Sequence, residues 1–186
     1  MTILQSERLT LRPLTLDDAE QIEILAGDPD VAKTTSNIPH PYPKGAGKDF
    51  VLGTKKLIQS NKLVLFGMVQ KKSQDFIGVI NLNLSLEHNR AEFGYFVGKE
   101  FWGKGYGTEA AQVLFSYGFE QMQLNRIYAA TFAENVGSRR IMEKIGLVYE
   151  GLFQEHMVRD GQTHDVVYYG LTKTQYEQKS SLKPSK

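Results

Sequence analysis

The sequence predicts a single α+β domain, an α/β sandwich in which helices flank a mixed, mostly antiparallel sheet of seven strands. Three observations support this prediction. Three strand-like runs follow one another closely, helix-like segments separate the other runs, and an Asp-Gly pair joins the last two. The predicted strands cover residues 8–14, 63–70, 76–84, 91–97, 126–132, 149–158 and 163–171.

Length and composition limit the classes of protein and site to be considered. At 186 residues, folding buries about 70% of the unfolded chain's surface, so a core forms without disulfides. The absence of cysteine excludes disulfides, thiolate zinc sites and a cysteine nucleophile. With 22 Lys and Arg against 21 Asp and Glu, the net charge is +1. No global field therefore attracts nucleic acid or an anionic membrane.

No signal-peptide pattern and no apolar run of membrane-spanning length is present. We therefore expect a cytoplasmic protein that binds neither a membrane nor nucleic acid directly. The composition predicts one domain over residues 1–178, followed by a flexible basic tail over residues 179–186.

The N-terminal segment alternates in polarity. Leu9 and Leu11 lie on one side of residues 8–14, as in a half-buried strand. Thr15 and Asp18 then form a carboxylate version of the capping box, which predicts a helix ending at residues 28–29.

Residues 37–47 hold three of the six prolines, which predicts a loop. A helix over residues 48–60 follows. The next three strands, residues 63–70, 76–84 and 91–97, are joined by short polar turns, so we expect an antiparallel meander.

Residues 108–121 carry small and apolar side chains on one side, which suits a helix packed on a sheet. The strand over residues 126–132 leads to a short helix that starts at Gly137 or Ser138 and ends at residue 145. Gly146 then suits a left-handed C-terminal cap.

The last two strands flank Asp160-Gly161, the strongest short-range hairpin signal. With these two residues at the centre of the turn, Arg159 opposes Gln162 and Met157 opposes His164. The same register places His156 opposite Asp165.

A glycine-rich turn, Phe101-Trp-Gly-Lys-Gly-Tyr-Gly-Thr108, lies between a predicted strand and a predicted helix. Glycines let a backbone curl around a ligand, and amides at a helix N-terminus bind phosphate oxygens. We therefore predict a pyrophosphate site. Lys104 is followed by glycine, not by Ser or Thr, which excludes the nucleotide triphosphatase loop. Antiparallel strands and Thr108 in place of a third glycine argue against a nicotinamide cofactor.

Five segments together carry a family resemblance: Ala91-Glu-Phe-Gly-Tyr-Phe96, Phe101-Trp-Gly-Lys-Gly-Tyr-Gly-Thr-Glu-Ala110, Asn125-Arg126, Asn135-Val-Gly-Ser-Arg-Arg140 and Glu143-Lys-Ile-Gly-Leu147. This combination resembles the GNAT superfamily of acetyl-CoA-dependent N-acetyltransferases, and within it the RimJ/RimL branch. That branch includes enzymes that acetylate the N-terminal α-amine of ribosomal proteins.

The resemblance implies a sheet splayed between its fourth and fifth strands, with acetyl-CoA in the opening and the acceptor amine on the other side. Phe96 and Val97 match the strand end that pairs with pantetheine, and the glycine turn matches the pyrophosphate site. Trp102 replaces the Gln or Arg that usually opens this turn. The implied cofactor-binding residues are Phe96, Val97, Trp102, Gly103, Lys104, Gly105, Tyr106, Gly107, Thr108, Asn135, Ser138 and Arg139. Arg140 is a further candidate for the phosphates.

For catalysis, Glu92 is the first choice as the proton acceptor, directly or through water, and its alternative is a structural cross-strand role. Glu150 and Glu155 are rivals, and alternation puts them on opposite faces, so only one of them faces the cleft. Many relatives protonate the thiolate with a tyrosine where this chain has Met142. Ser138 is the replacement candidate, and its alternative role is the N-cap of its helix.

The predicted pair of His156 and Asp165 has two interpretations, a carboxylate-oriented base and a hydrogen-bonded pair that shapes the hairpin or the acceptor pocket. The histidines show no HExxH spacing, so no metal site is predicted. The proline loop with His40 and Tyr42 is expected to close over the acceptor.

The leading hypothesis is an N-acetyltransferase that moves an acetyl group from acetyl-CoA to a primary amine, such as a protein N-terminus, by direct attack in a ternary complex. Without cysteine, no acetyl-cysteine intermediate forms. The alternatives are an acetyltransferase for a polyamine, amino acid or antibiotic, and a non-catalytic CoA-binding module. Because related domains often pair, a homodimer is a further expectation.

Overall fold

The computed structural model describes residues 2–181, whose eight strands form one sheet in the order β1-β2-β3-β4-β5-β6-β8-β7. The strands are β1 (Leu4–Gln5), β2 (Leu9–Arg12), β3 (Leu63–Gln70), β4 (Phe76–Ser85), β5 (Arg90–Val97), β6 (Arg126–Phe132), β7 (Val148–Arg159) and β8 (Gln162–Thr172). The α-helices are α1 (Ala19–Gly27), α2 (Pro29–Lys33), α3 (Ala46–Gln59), α4 (Tyr106–Ser116), α5 (Val136–Lys144) and α6 (Lys173–Ser181). The mixed, mostly antiparallel sheet flanked by helices is confirmed.

The predicted strands are all present, and β1 adds an eighth. This strand has two residues, paired with β2, and is too short to show any periodicity in the sequence. From β2 to β5 the neighbours pair antiparallel, as the predicted meander requires.

Helices cover both faces of the sheet and divide the core into two clusters. On one face, Ile22 of α1 and Val51 of α3 pack with Val79. On the other, Ala111 and Leu114 of α4 pack in a cluster with Phe93. Alanine at the contact lets α4 lie close to the strands, which agrees with the small apolar side predicted for this helix.

The helix boundaries correct the expectations at three places. Pro29 ends α1 but also begins α2, because proline suits the first position of a helix and the Asp28 carboxylate accepts from the Asp30 N–H at 2.7 Å. The third helix begins earlier than expected, after Gly45 in a left-handed conformation. The predicted helix over residues 108–121 begins at Tyr106 and its last turn, Tyr117–Gln121, is a π-helix.

The prediction of a tail over residues 179–186 is wrong for residues 179–181, which belong to α6. Lys179 Nζ donates to the Gly146 carbonyl at 2.6 Å and joins this helix to the end of α5. The lysine- and serine-rich composition of this segment gives no helical pattern of apolar residues in the sequence. The rest of the predicted tail lies outside the described residues.

The sheet is splayed where the family resemblance predicts it. β5 and β6 are parallel neighbours that pair only through residues 90–92 and 126–128. Beyond Glu92 the two strands separate, so the β6 side of residues 93–97 faces an opening rather than a strand. This confirms the splay between the predicted fourth and fifth strands.

The final hairpin confirms part of the predicted register and corrects the rest. Arg159 opposes Gln162 and Met157 opposes His164, but residues 154–156 have no register partner, because three residues of β7 span the interval that Asp165 alone spans on β8. This bulge makes the predicted pairing of His156 with Asp165 wrong. Asp165 Oδ1 instead accepts from the Glu155 N–H at 2.8 Å, and His156 Nε2 lies 3.4 Å from the Tyr168 hydroxyl.

Candidate active site

Two cavities meet at the opening between β5 and β6. We call the larger one, of about 700 Å³ between the glycine turn and α5, the turn cavity. The smaller one, of about 440 Å³ on the face covered by α1 and α3, is the strand cavity. The residues that line both are Thr34, Thr35, Tyr95, Phe96 and Ser138.

The glycine turn forms one wall of the turn cavity and ends at the N-terminus of α4. Gly103 and Gly105 have φ of +72° and +82°, a left-handed conformation that favours glycine. Gly105 is the N-cap, so the first amides of α4 follow it directly at the cavity wall. Free amides and the helix dipole make this wall suited to an anion.

A polar network fixes this turn to the N-terminal strand. Arg8 Nη1 donates to the Lys104 carbonyl at 3.0 Å, and Arg8 Nε donates to Glu109 Oε2 at 2.6 Å. The Ser6 hydroxyl donates to Glu109 Oε1 at 2.6 Å. Burial opposes ionisation of Glu109, but the hydrogen bonds from Ser6 and Arg8 outweigh it and lower its pKa. The alternating pattern of residues 8–14 predicts only a strand position for Arg8 and gives no signal for this supporting role.

The basic residues around the turn cavity differ from the expectation. Arg139 donates to the Tyr169 hydroxyl and to the Ala133 carbonyl, both at 3.2 Å, and does not line the cavity. Arg140 and Lys144, four residues apart on one face of α5, line it instead. Lys104 lies over the Phe101 ring, 5.7 Å from its centroid, and its side chain does not line the cavity either.

The strand end beside the opening presents one backbone amide in particular. The Gly98 N–H donates to the Ile77 carbonyl of β4, and the Asn89 carbonyl accepts from Asn125 at the start of β6. Alternation along β5 therefore turns the Phe96 amide toward β4 and the Val97 amide toward the opening. Trp102 Nε1 donates to the Val97 carbonyl at 2.7 Å and places the indole in the wall.

Asn135 and Ser138 lie together at the start of α5. Asn135 is the N-cap: Oδ1 accepts from the Ser138 N–H, and Nδ2 donates to the Thr34 carbonyl, both at 3.0 Å. The alternative N-cap role for Ser138 is therefore wrong. Ser138 is a buried residue of the first turn beside Tyr95, and burial raises the pKa of that phenol while the interaction with Ser138 opposes the rise.

Glu92 is half-buried and lines the strand cavity. Burial raises the pKa of its carboxyl group. Within residues 2–181 no side chain or backbone amide donates a hydrogen bond to it. The rivals lie elsewhere: Glu150 accepts from Arg126 Nη1 at 2.8 Å, and Glu155 is exposed in the β7 bulge. Neither lines a cavity, because two bulges break the alternation assumed for β7.

The proline loop lies over the strand cavity, and its closure over an acceptor stays a prediction. Asn37, Ile38, Pro39 and Tyr42 line it, whereas His40 does not. Arg159 Nη2 donates to the Ile38 carbonyl at 2.8 Å and ties the loop to the end of β7.

Among residues 2–181, no group of three or more His, Asp or Glu side chains is arranged to hold a metal ion. No described helix is both long and apolar enough to cross a membrane.

Comparisons with known proteins agree with this geometry. A family described as "Acetyltransferase (GNAT) domain" matches residues 8–148. "Uncharacterized N-acetyltransferase p20" of Bacillus licheniformis is 33% identical over 177 residues, which are 95% of this chain and 99% of that protein. "Putative ribosomal N-acetyltransferase YdaF" of Bacillus subtilis (strain 168) is 41% identical over 101 residues, 54% of this chain and 55% of that protein.

A crystal structure of a GNAT-family acetyltransferase from Bacillus anthracis superposes with a TM-score of 0.83 at 28% identity. The match covers 93% of this chain and 99% of that one. The splayed sheet, the glycine turn and the family match agree over most of the chain. The chain therefore belongs to the GNAT acetyltransferase family and is an acetyl-CoA-dependent N-acetyltransferase.

Proposed function

We propose that this enzyme acetylates the N-terminal α-amine of a protein or peptide, by direct attack in a ternary complex. The observation that carries the proposal is the charge of the strand cavity: among the described residues that line it, Glu92 is the only Asp, Glu, Lys, Arg or His. Such a wall suits an acceptor with one ammonium group and no carboxylate beside it. A protein N-terminus carries one ammonium group, and the peptide bond that follows it is uncharged. The likeness to YdaF, whose name points to ribosomal proteins, supports the same substrate class.

In this proposal acetyl-CoA occupies the turn cavity. Its pyrophosphate lies against the amides that follow Gly105, with Arg140 and Lys144 at the opposite wall. The thioester lies where the two cavities meet, beside Phe96 and Ser138. The Val97 N–H then donates to the thioester oxygen as it becomes negative.

The amine enters through the strand cavity and attacks the thioester carbon. The new C–N bond forms as the C–S bond breaks, and the amine loses a proton. Glu92 lies four residues from Phe96, about 13 Å along an extended strand, so this proton reaches the carboxylate through water. Ser138 donates a proton to the departing thiolate and regains one from solvent.

A polyamine is the main alternative acceptor, and it requires several carboxylates around the cavity. The candidates are engaged elsewhere. Glu23 accepts from the Gly47 N–H, Asp28 caps α2, and Glu150 pairs with Arg126. One carboxylate leaves the remaining ammonium groups of a polyamine without partners. A non-catalytic CoA-binding module is the other alternative, and it does not explain a half-buried, unpaired Glu92.

The test is CoA release from acetyl-CoA with a panel of amines. We expect turnover of short peptides with a free α-amine, and no turnover of the same peptides when the α-amine is blocked and a lysine side chain is free. Spermidine is expected to be a poor acceptor. Turnover of spermidine with none of any peptide would replace the peptide assignment by the polyamine one.

The predicted homodimer stays a prediction. β7 is an edge strand of the sheet, and about half of the surface of Tyr149 and of Phe153 is exposed. A second copy packed on this edge would cover them. Sedimentation velocity of the purified protein distinguishes a dimer from a monomer.

A further inference from the structure

Two asparagines of β4 line the strand cavity on the face that carries Glu92. Asn81 lies directly opposite Gly94 and Asn83 directly opposite Glu92 in the antiparallel register. The neighbouring residues Ile80 and Leu82 are fully buried on the other face, against α4. β4 therefore presents two amides to a cavity from the middle of a sheet.

Within residues 2–181, neither the Asn81 nor the Asn83 side chain makes a hydrogen bond. Asn81 is partly buried and Asn83 is exposed at the cavity, so both amides are free to bind an acceptor there. Asn81 Oδ1 and Nδ2 lie 3.0 and 3.3 Å from the position that a Cβ at residue 94 would occupy. The Asn81 amide thus packs over residue 94, and the absence of a side chain at Gly94 makes room for it.

The chemistry of an asparagine amide matches that of a peptide group. It offers a donor and an acceptor without charge, as a peptide bond does. Alternate residues of a strand are about 6.6 Å apart, which is also the spacing of alternate peptide groups in an extended chain. The two amides can therefore contact an extended chain that enters along β4 toward Phe96.

We propose that Asn81 and Asn83 determine acceptor specificity by hydrogen-bonding the first peptide groups that follow the reacting amine. This inference rests on the proposed function and adds the residues that select an amide-bearing acceptor. Gly94 leaves room for the Asn81 amide to lie at the cavity wall. Among the described residues that line the strand cavity, Glu92, opposite Asn83, is the only one with a charged side chain.

The test uses two pairs of acceptors that differ only in the first amide. One pair is trialanine amide and its analogue with an E-alkene in place of the first peptide bond. The other is alaninamide and 3-methyl-2-butylamine, which has the same shape without the amide. CoA release gives kcat/KM for the parent, Asn81→Ala, Asn83→Ala and a control, Ser85→Ala. Ser85 lies on the same strand, does not line the cavity and bonds to Glu87.

We expect Asn81→Ala to lower kcat/KM by about 3- to 10-fold for the acceptors with the amide, the effect of one neutral hydrogen bond. Asn83→Ala should act on trialanine amide and on its alkene analogue, because both keep the second peptide group, and should leave alaninamide unchanged. For Asn81→Ala, the alkene and alkylamine acceptors should change by less than about 2-fold, and Ser85→Ala should change none of the acceptors. The KM for acetyl-CoA should stay constant.

For Asn81→Ala, equal losses for both members of a pair, or no loss for either, would overturn the inference; for Asn83→Ala, no loss on trialanine amide would overturn its part. If alaninamide shows the selective loss while no peptide is a substrate, the peptide function fails and the role of the asparagines stands. If only peptides are substrates, the comparison of trialanine amide with its alkene analogue tests the role of the asparagines by itself. Turnover of no acceptor at all would reject both proposals.

Discussion

Glu92 shows how a single side chain is prepared for a role in proton transfer. It is half-buried, lines the strand cavity and has a pKa raised by burial. A raised pKa makes a carboxylate a better proton acceptor near neutral pH, provided that the group is still ionised. Its proposed role is therefore testable by pH dependence as well as by mutation.

We predict that Glu92→Gln lowers kcat/KM at pH 7.5 by at least about 100-fold, as loss of a general base does, and leaves the acetyl-CoA affinity unchanged. In the parent, kcat/KM should fall as the pH drops through the raised pKa of Glu92, because protonation removes the base. This acid limb should be absent from the residual activity of the variant.

Glu155→Gln is the matched control for this prediction, because Glu155 is exposed in the β7 bulge and lines neither cavity. It should behave as the parent at every pH. A Glu92→Gln variant that keeps parental activity and the same acid limb would exclude Glu92 as the proton acceptor.

At the scale of elements, the junction of β2 and α1 depends on an ion pair between the buried Asp18 and the partly buried Arg12. Arg12 Nη2 donates to Asp18 Oδ1 at 2.7 Å, and Arg12 Nη1 donates to Asp18 Oδ2 at 2.8 Å. The Thr15 N–H also donates to Asp18 Oδ2, as the predicted capping box requires. Burial opposes ionisation of Asp18, but the hydrogen bonds from Arg12 and Thr15 outweigh it and lower its pKa below the ordinary value of an aspartate.

We predict that Asp18→Asn lowers the free energy of unfolding at pH 7 by about 2–3 kcal/mol, because it leaves the Arg12 charge without its partner. Because folding lowers the Asp18 pKa, this stabilisation is present above the ordinary pKa and is lost as the pH falls through the folded one. Urea unfolding should therefore show a smaller difference between parent and variant at pH 3 than at pH 7.

Asp17→Asn is the control, because it removes one negative charge from the exposed residue next to Asp18. It should alter the free energy of unfolding by less than about 0.5 kcal/mol. Equal urea midpoints for the parent and Asp18→Asn at pH 7 would contradict the importance of this junction.

The elements also show which parts of the structure the sequence can predict. Strands such as residues 63–70 follow from a short apolar run bounded by polar residues, and the Asp160-Gly161 turn follows from its backbone preference. The β7 bulge does not follow from the sequence, because the residues that it adds leave no signal in the order of polar and apolar side chains. Asn81 and Asn83 resemble a solvent-facing stripe in the sequence. Only the cover of α1 and α3 shows that they face a cavity.

At the scale of the whole molecule, the splay of one sheet makes both halves of the site. The glycine turn and α5 enclose the turn cavity, whereas α1, α3 and the proline loop enclose the strand cavity. Tyr95, Phe96 and Ser138 lie at their junction. Holding two reactants in attack geometry can lower the activation barrier by roughly 7–11 kcal/mol. Much of the proposed catalysis therefore depends on this architecture.

The most direct test of the account is a calorimetric titration of acetyl-CoA into the parent, Gly105→Glu and Gly45→Glu. Gly105 and Gly45 are both helix N-caps, with φ of +82° and +86°. The two substitutions therefore cause similar backbone strain, but only Gly105 lines the turn cavity. We predict that the parent and Gly45→Glu bind acetyl-CoA equally and that Gly105→Glu does not bind it. Equal binding by all three proteins, or no binding by the parent, would contradict the account.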